Sequence, residues 1–170
     1  MFERMRGIWT KAIEPLVLKM GNLDPSILTW TSLILALGGF WLISEAALDN
    51  NGAIMIGVSV LLILLAGVLD ALDGALARHQ GVAGPYGDFL DHTIDRVVDV
   101  GLLIAIGMNA TFVSDPSSGA VAAVLTLFGS YMGTQAQSVG LDRIYGGFGR
   151  ADRMVLTMAC LVAASWQAYS

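Results

Sequence analysis

Charge is scarce in these 170 residues: 14% are Asp, Glu, Lys or Arg, while 55% are hydrophobic. So small a supply of charge excludes an ordinary soluble domain and points to a helical protein that crosses a membrane several times. Cysteine is almost absent. Cys160 stands alone, which excludes an intrachain disulfide, and within its apolar run it reads as a small buried hydrophobe. There are two histidines, His79 and His92, and neither has a second His or Cys at ligand spacing, so both read as interfacial side chains rather than metal ligands. Nine Lys and Arg against fourteen Asp and Glu leave no basic footprint for nucleic acid. The first 20 residues lack the continuous apolar core and small-residue cleavage site of a signal peptide. With no repeat, linker or low-complexity tract, residues 1–170 read as a single membrane domain.

What the chain does have is apolar length in pieces. Phe2, Met5, Trp9, Ile13, Leu16 and Met20 recur at helical spacing among Arg4, Arg6, Lys11 and Lys19. That pattern predicts an amphipathic helix in the headgroup region, bent or split at Pro15. The segment 22–25 breaks it, and Pro25 is placed to open the next helix. Five apolar stretches follow, over 26–46, 53–77, from Pro85 to 108, 120–139 and 154–168. At about 20 residues per crossing, they predict an all-α, polytopic integral membrane protein with five transmembrane helices. Four cations precede residue 20, Arg78 ends the second stretch, and Arg143, Arg150 and Arg153 surround the fourth-to-fifth connection. The turns at Asp49 and Asp115 have none. All these segments fall on one side if the N-terminus is cytoplasmic, which makes the end bearing Asp70–Asp95 face the cytoplasm of a cell-membrane protein.

The stretch DALDGALARHQGVAGPYGDFLDHTID, from Asp70 to Asp95, organises the rest. Asp70 and Asp73 lie three apart at the end of one predicted helix, and Asp91 and Asp95 lie four apart near the start of the next. Each spacing puts a carboxylate pair on one helix face, and the turn from Gly81 to Gly87 lets the faces meet. Four convergent carboxylates at a membrane boundary repel one another unless cations share them. With only oxygen ligands on offer, one or two hard divalent ions fit best. A cation transporter would also use intramembrane carboxylates, but no broken helices or repeats accompany these.

Asp70, Asp73, Gly74, Ala77, Arg78, Gly87, Asp91 and Asp95 match, residue for residue and at fixed spacing, the motif of the CDP-alcohol phosphatidyltransferase family, which this sequence resembles, and its later segments GTQAQ, VGLDR, YGG and GRADR resemble archaeal members. The family has six spans, of which five are visible here. The resemblance implies transfer of a phosphatidyl- or archaetidyl-type group from a CDP-linked lipid to a small alcohol, with release of CMP, in phospholipid biosynthesis. It also implies two Mg²⁺ or Mn²⁺ ions held by Asp70, Asp73, Asp91 and Asp95, with Asp95 as the catalytic base. Asp70, Gly74, Arg78 and Gly87 would then bind the CDP-lipid, surrounding membrane lipids would complete the setting, and the protein would act as a homodimer. Asp88 reads as a capping or supporting residue and Asp99 as a partner for Arg96.

The acceptor is read from the fourth helix onward. Members that use inositol phosphate carry a Lys and an Arg where this chain has Gly133 and Gln135, while Arg150 and Arg153 match their downstream arginines. Gln135, Arg150 and Arg153 are therefore the acceptor candidates. The acceptor expected is glycerol 3-phosphate ahead of inositol phosphate or serine. A non-catalytic or truncated member that binds lipid headgroups is the alternative.

Overall fold

The computed structural model describes residue 13, residues 15–141 and residues 149–169. Among them the chain is helical apart from its turns, with five long helices: α1 Pro25–Glu45, α2 Asn50–Gln80, α3 Pro85–Met108, α4 Pro116–Ser138 and α5 Arg150–Tyr169. They hold 20 to 31 residues each, about 30–46 Å at 1.5 Å per residue, enough to cross a hydrocarbon core. On hydropathy, α1 and α2 meet the requirement for a membrane span, with mean values of 1.8 and 2.7. The other three fall short because polar residues interrupt them, most densely on α3, whose first half carries Asp88, Asp91, Asp95, Arg96 and Asp99. Their outward faces are nonetheless apolar, as at Val124, Leu125 and Phe128 of α4 and Trp166 of α5, all more than half exposed. A surface so rich in exposed hydrophobes suits lipid, not water.

Local chemistry sets the helix starts. Three of the four prolines, Pro25, Pro85 and Pro116, open helices, where the missing N–H costs nothing. Asp24, Asp49 and Asp115 cap α1, α2 and α4 by accepting from the amides of Ser26, Gly52 and Ser117 at 2.9, 2.7 and 3.0 Å. The Ser117 hydroxyl and then its amide hold the exposed Asp115 carboxyl below the ordinary carboxylate range. α2 stops at Gly81, whose φ of 71° is the left-handed conformation that glycine adopts without strain.

α1 packs on α2 and α3, α3 on α4, and α5 on α2. Ala36, Phe40, Ile43, Ile63, Val98, Leu102 and Leu161 belong to the main core. The α3–α4 crossing is very close: a Cβ on Gly107 would meet the Gly119 Cα at 2.6 Å, so only small residues serve there. At the end away from the motif, buried Asn109 closes α3 onto α1. Its amide donates to the carbonyls of Ile43 and Ala46 at 2.6 and 2.9 Å, and its own oxygen accepts from the Thr111 amide. The Tyr169 hydroxyl donates to the Ala47 carbonyl at the same end.

Two expectations need amendment. Cys160 is exposed on the outer face of α5 rather than buried, because α5 turns Met158 and Leu161 inward. Most of the amphipathic N-terminal helix, including the residues that lead into the expected bend at Pro15, lies outside the described residues. Within them, residues 15–20 are helical, and the packed face is Ile13, Val17 and Met20 against Leu28, Leu72 and Leu76. Leu16, expected on that face, is half exposed. Gln80 ties this segment down by donating to the carbonyls of Gly21 and Leu23.

Candidate active site

The last turns of α2 and the first turns of α3 are joined by only four residues, 81–84, so the two carboxylate pairs face each other across a short hairpin. Between them and the start of α1 lies a cavity of about 540 Å³. Asp70, Asp73, Gly74, Arg78, Gly87, Asp91, Asp95 and Arg150 all line it, together with Asp24, Thr29, Tyr86 and Asp88. Every residue of the metal and donor-lipid sets therefore meets in one place. A depression of similar volume along α5, lined by Met158, Ala159, Val162, Ala163 and Trp166, offers no ionisable group for chemistry.

Asp73 and Asp95 are buried, while Asp70 and Asp91 are half-buried. Asp73 is aimed by α1: the Thr29 hydroxyl donates to its Oδ2 at 2.5 Å. Asp95 lies between two guanidiniums, with Arg150 Nη1 2.5 Å from Oδ1 and Arg96 Nη2 3.6 Å from Oδ2. Arg150, the first residue of α5, also donates to Asp70 Oδ2 and Asp99 Oδ1, each at 3.3 Å. Asp99 collects two further cations, Arg96 at 3.4 Å and Arg153 at 3.8 Å, so its expected pairing with Arg96 is one of three.

The two motif glycines differ. A Cβ on Gly74 would come within 3.3 Å of the Arg78 guanidinium, so glycine lets that side chain lie close over the helix. A Cβ on Gly87 would meet nothing and would project into open space, where a bound molecule could approach the backbone.

The donor set suits a hard divalent cation. It is built of carboxylate oxygens, the ligands such an ion prefers, although Asp95 Oδ1 is here ion-paired with Arg150. Asp91, His92 and Asp95 also bring ligand atoms within 4.8 Å of one another. His92 is two-thirds exposed and does not line the cavity, so the four aspartates form the better constellation.

The acceptor candidates divide. Arg150 stands inside the carboxylate cluster and lines the cavity. Arg153 reaches Asp99 from outside the cavity lining, and Gln135 is exposed on α4 away from it. Thr29 was not legible as a site residue. Its signal was faint: a hydroxyl one turn after the Asp24-Pro25 start, on a helix otherwise bound for lipid.

A family model described as CDP-alcohol phosphatidyltransferase matches residues 22–169. An uncharacterised protein of Aquifex aeolicus is 30% identical over 94% of this chain and 80% of its own length. An archaetidylinositol phosphate synthase of Aeropyrum pernix is 33% identical over 94% of the chain and 79% of its own. A phosphatidylinositol phosphate synthase of Cutibacterium acnes is 26% identical over 95% and 77%. With its motif gathered at one end of an all-helical membrane bundle, the chain belongs to the CDP-alcohol phosphatidyltransferase family of membrane-bound transferases.

Proposed function

We propose that this enzyme transfers a phosphatidyl- or archaetidyl-type group from a CDP-linked lipid to a phosphorylated polyol, in phospholipid biosynthesis at the cytoplasmic face of the cell membrane. The observation that carries this reading is the convergence of Asp70, Asp73, Asp91 and Asp95, from two helices, on one cavity lined by Gly74, Arg78 and Gly87. In the reaction, the acceptor hydroxyl oxygen forms a bond to the lipid phosphorus. The bridging P–O bond of the diphosphate breaks, CMP leaves with the bonding pair, and the hydroxyl proton passes to a carboxylate. In this reading Asp95 takes that proton, supported by its burial and its position at the junction of α2, α3 and α5. Asp70, Asp73, Asp91 and Asp95 are the residues that would hold one or two Mg²⁺ or Mn²⁺ ions. Such ions neutralise a diphosphate and stabilise the leaving group. Arg78 adds a planar cation for a phosphate oxygen at the cavity edge.

Inositol phosphate is the first choice of acceptor, supported by the names of the Aeropyrum pernix and Cutibacterium acnes relatives. Gly133 and Gln135, standing where inositol-phosphate users carry cations, favour glycerol 3-phosphate as a second reading. Arg150 and Arg153 are the cations left to meet either phosphate. The cytoplasmic orientation draws on Arg78, Arg150 and Arg153 sharing one end of the bundle. The homodimer draws on the family resemblance.

The test is CMP release by purified protein given a CDP-lipid, magnesium and one acceptor at a time, with EDTA controls. EDTA-sensitive release with inositol phosphate alone supports the first reading, and release with glycerol 3-phosphate alone supports the second. No release with any acceptor sinks both. Crosslinking in native membranes checks the dimer.

A further inference from the structure

We propose that Arg96, pinned by Ser130 of α4, is a positioning residue that aims the Asp95 carboxylate. The inference rests on the reading in which Asp95 takes the acceptor proton. Arg96 follows Asp95 on α3, about 100° further round the helix, and does not line the cavity. Its guanidinium nonetheless lies beside the carboxylates of both Asp95 and Asp99, at 3.6 and 3.4 Å. Those separations give attraction without the directionality of a hydrogen bond. The hydrogen bond Arg96 does make, among the described residues, is to the Ser130 hydroxyl. Ser130 in turn donates its own proton to the Thr126 carbonyl at 3.1 Å, so its oxygen is oriented to accept from Arg96.

The chain of contact therefore runs from the α4 backbone through Ser130 and Arg96 to Asp95 Oδ2. The oxygen opposite, Oδ1, faces Arg150. A carboxylate held between two cations keeps its plane only while both stay in place. One of them is fixed by a helix that contributes nothing to the aspartate motif. Arg96 is thus needed for the aim of the base, not for contact with either substrate.

The experiment measures kcat and both KM values for S130A, R96Q, R96K and the S130A/R96Q double variant in CMP release. S138A, an exposed α4 serine bonded, among the described residues, only to the local Gln135 carbonyl, serves as the control. S130A should lower kcat about 3–10-fold and R96Q about 10–100-fold, with both KM values within about twofold of wild type. R96K should recover part of the loss. Because both residues act along one chain, the double variant should be no worse than R96Q. Wild-type kcat in S130A overturns the proposal, and so does additivity in the double variant. A rise in KM without loss of kcat overturns it in favour of substrate contact. If the wild-type protein releases no CMP, the proposed function fails and takes this inference with it. Wild-type turnover with unaffected variants removes the inference alone.

Discussion

Thr29 illustrates how much rests on single polar atoms at this site. Its hydroxyl satisfies Asp73 Oδ2 inside an apolar contact, and a buried acceptor stripped of its donor costs about 1–3 kcal/mol. T29V should therefore weaken metal-supported donor binding about tenfold, read as a raised Kd for a CDP-lipid in a magnesium titration. The two ends of the motif should separate by function. D95N should keep donor binding and lose turnover by about 10²–10⁴-fold, the range expected of a general base. D70N should weaken metal and donor binding together. Binding isotherms beside CMP release distinguish these outcomes, and wild-type turnover in D95N would remove that residue from the base role. At this scale the sequence was informative wherever chemistry repeated at fixed spacing, as with the four aspartates. It was uninformative for Thr29, Ser130 and the depth of Arg150. Those contacts join residues 34 to 80 positions apart, and no local periodicity encodes them.

Helix α3 is the element on which the bundle depends. It presents Asp91, Asp95 and Asp99 at one end and closes on α1 through Asn109 at the other. Asn109 satisfies two carbonyls at the α1 terminus, so N109A should destabilise the protein by about 2–3 kcal/mol. That loss should appear as a lower unfolding temperature in detergent, with residual folded protein still able to bind donor. Helix positions were legible because proline and capping residues mark their starts, and all five lie within a few residues of the apolar stretches. Which of them face lipid was less legible. Polar residues lower the hydropathy of α3, and α5 turns out the very cysteine that its apolar neighbours suggested was buried.

For the molecule as a whole, α2 and α5 bring Arg78, Arg150 and Arg153 to one end, while Asn109, Ala47 and Tyr169 meet at the other. If the cationic end faces the cytoplasm, a membrane-impermeant maleimide added outside intact cells should label N51C and spare G149C, both in a C160A background. The reverse pattern would invert the topology. The arrangement of the carboxylates has a consequence in time as well. All four belong to one helical hairpin, whereas Arg150 opens the last described helix. A ribosome therefore finishes the acidic hairpin well before it makes the guanidinium that sits among those carboxylates. During that interval Arg78 and Arg96 of the hairpin itself, with water and dissolved cations, are there to balance them. The newborn chain must hold this hairpin at the headgroup surface until α5 arrives.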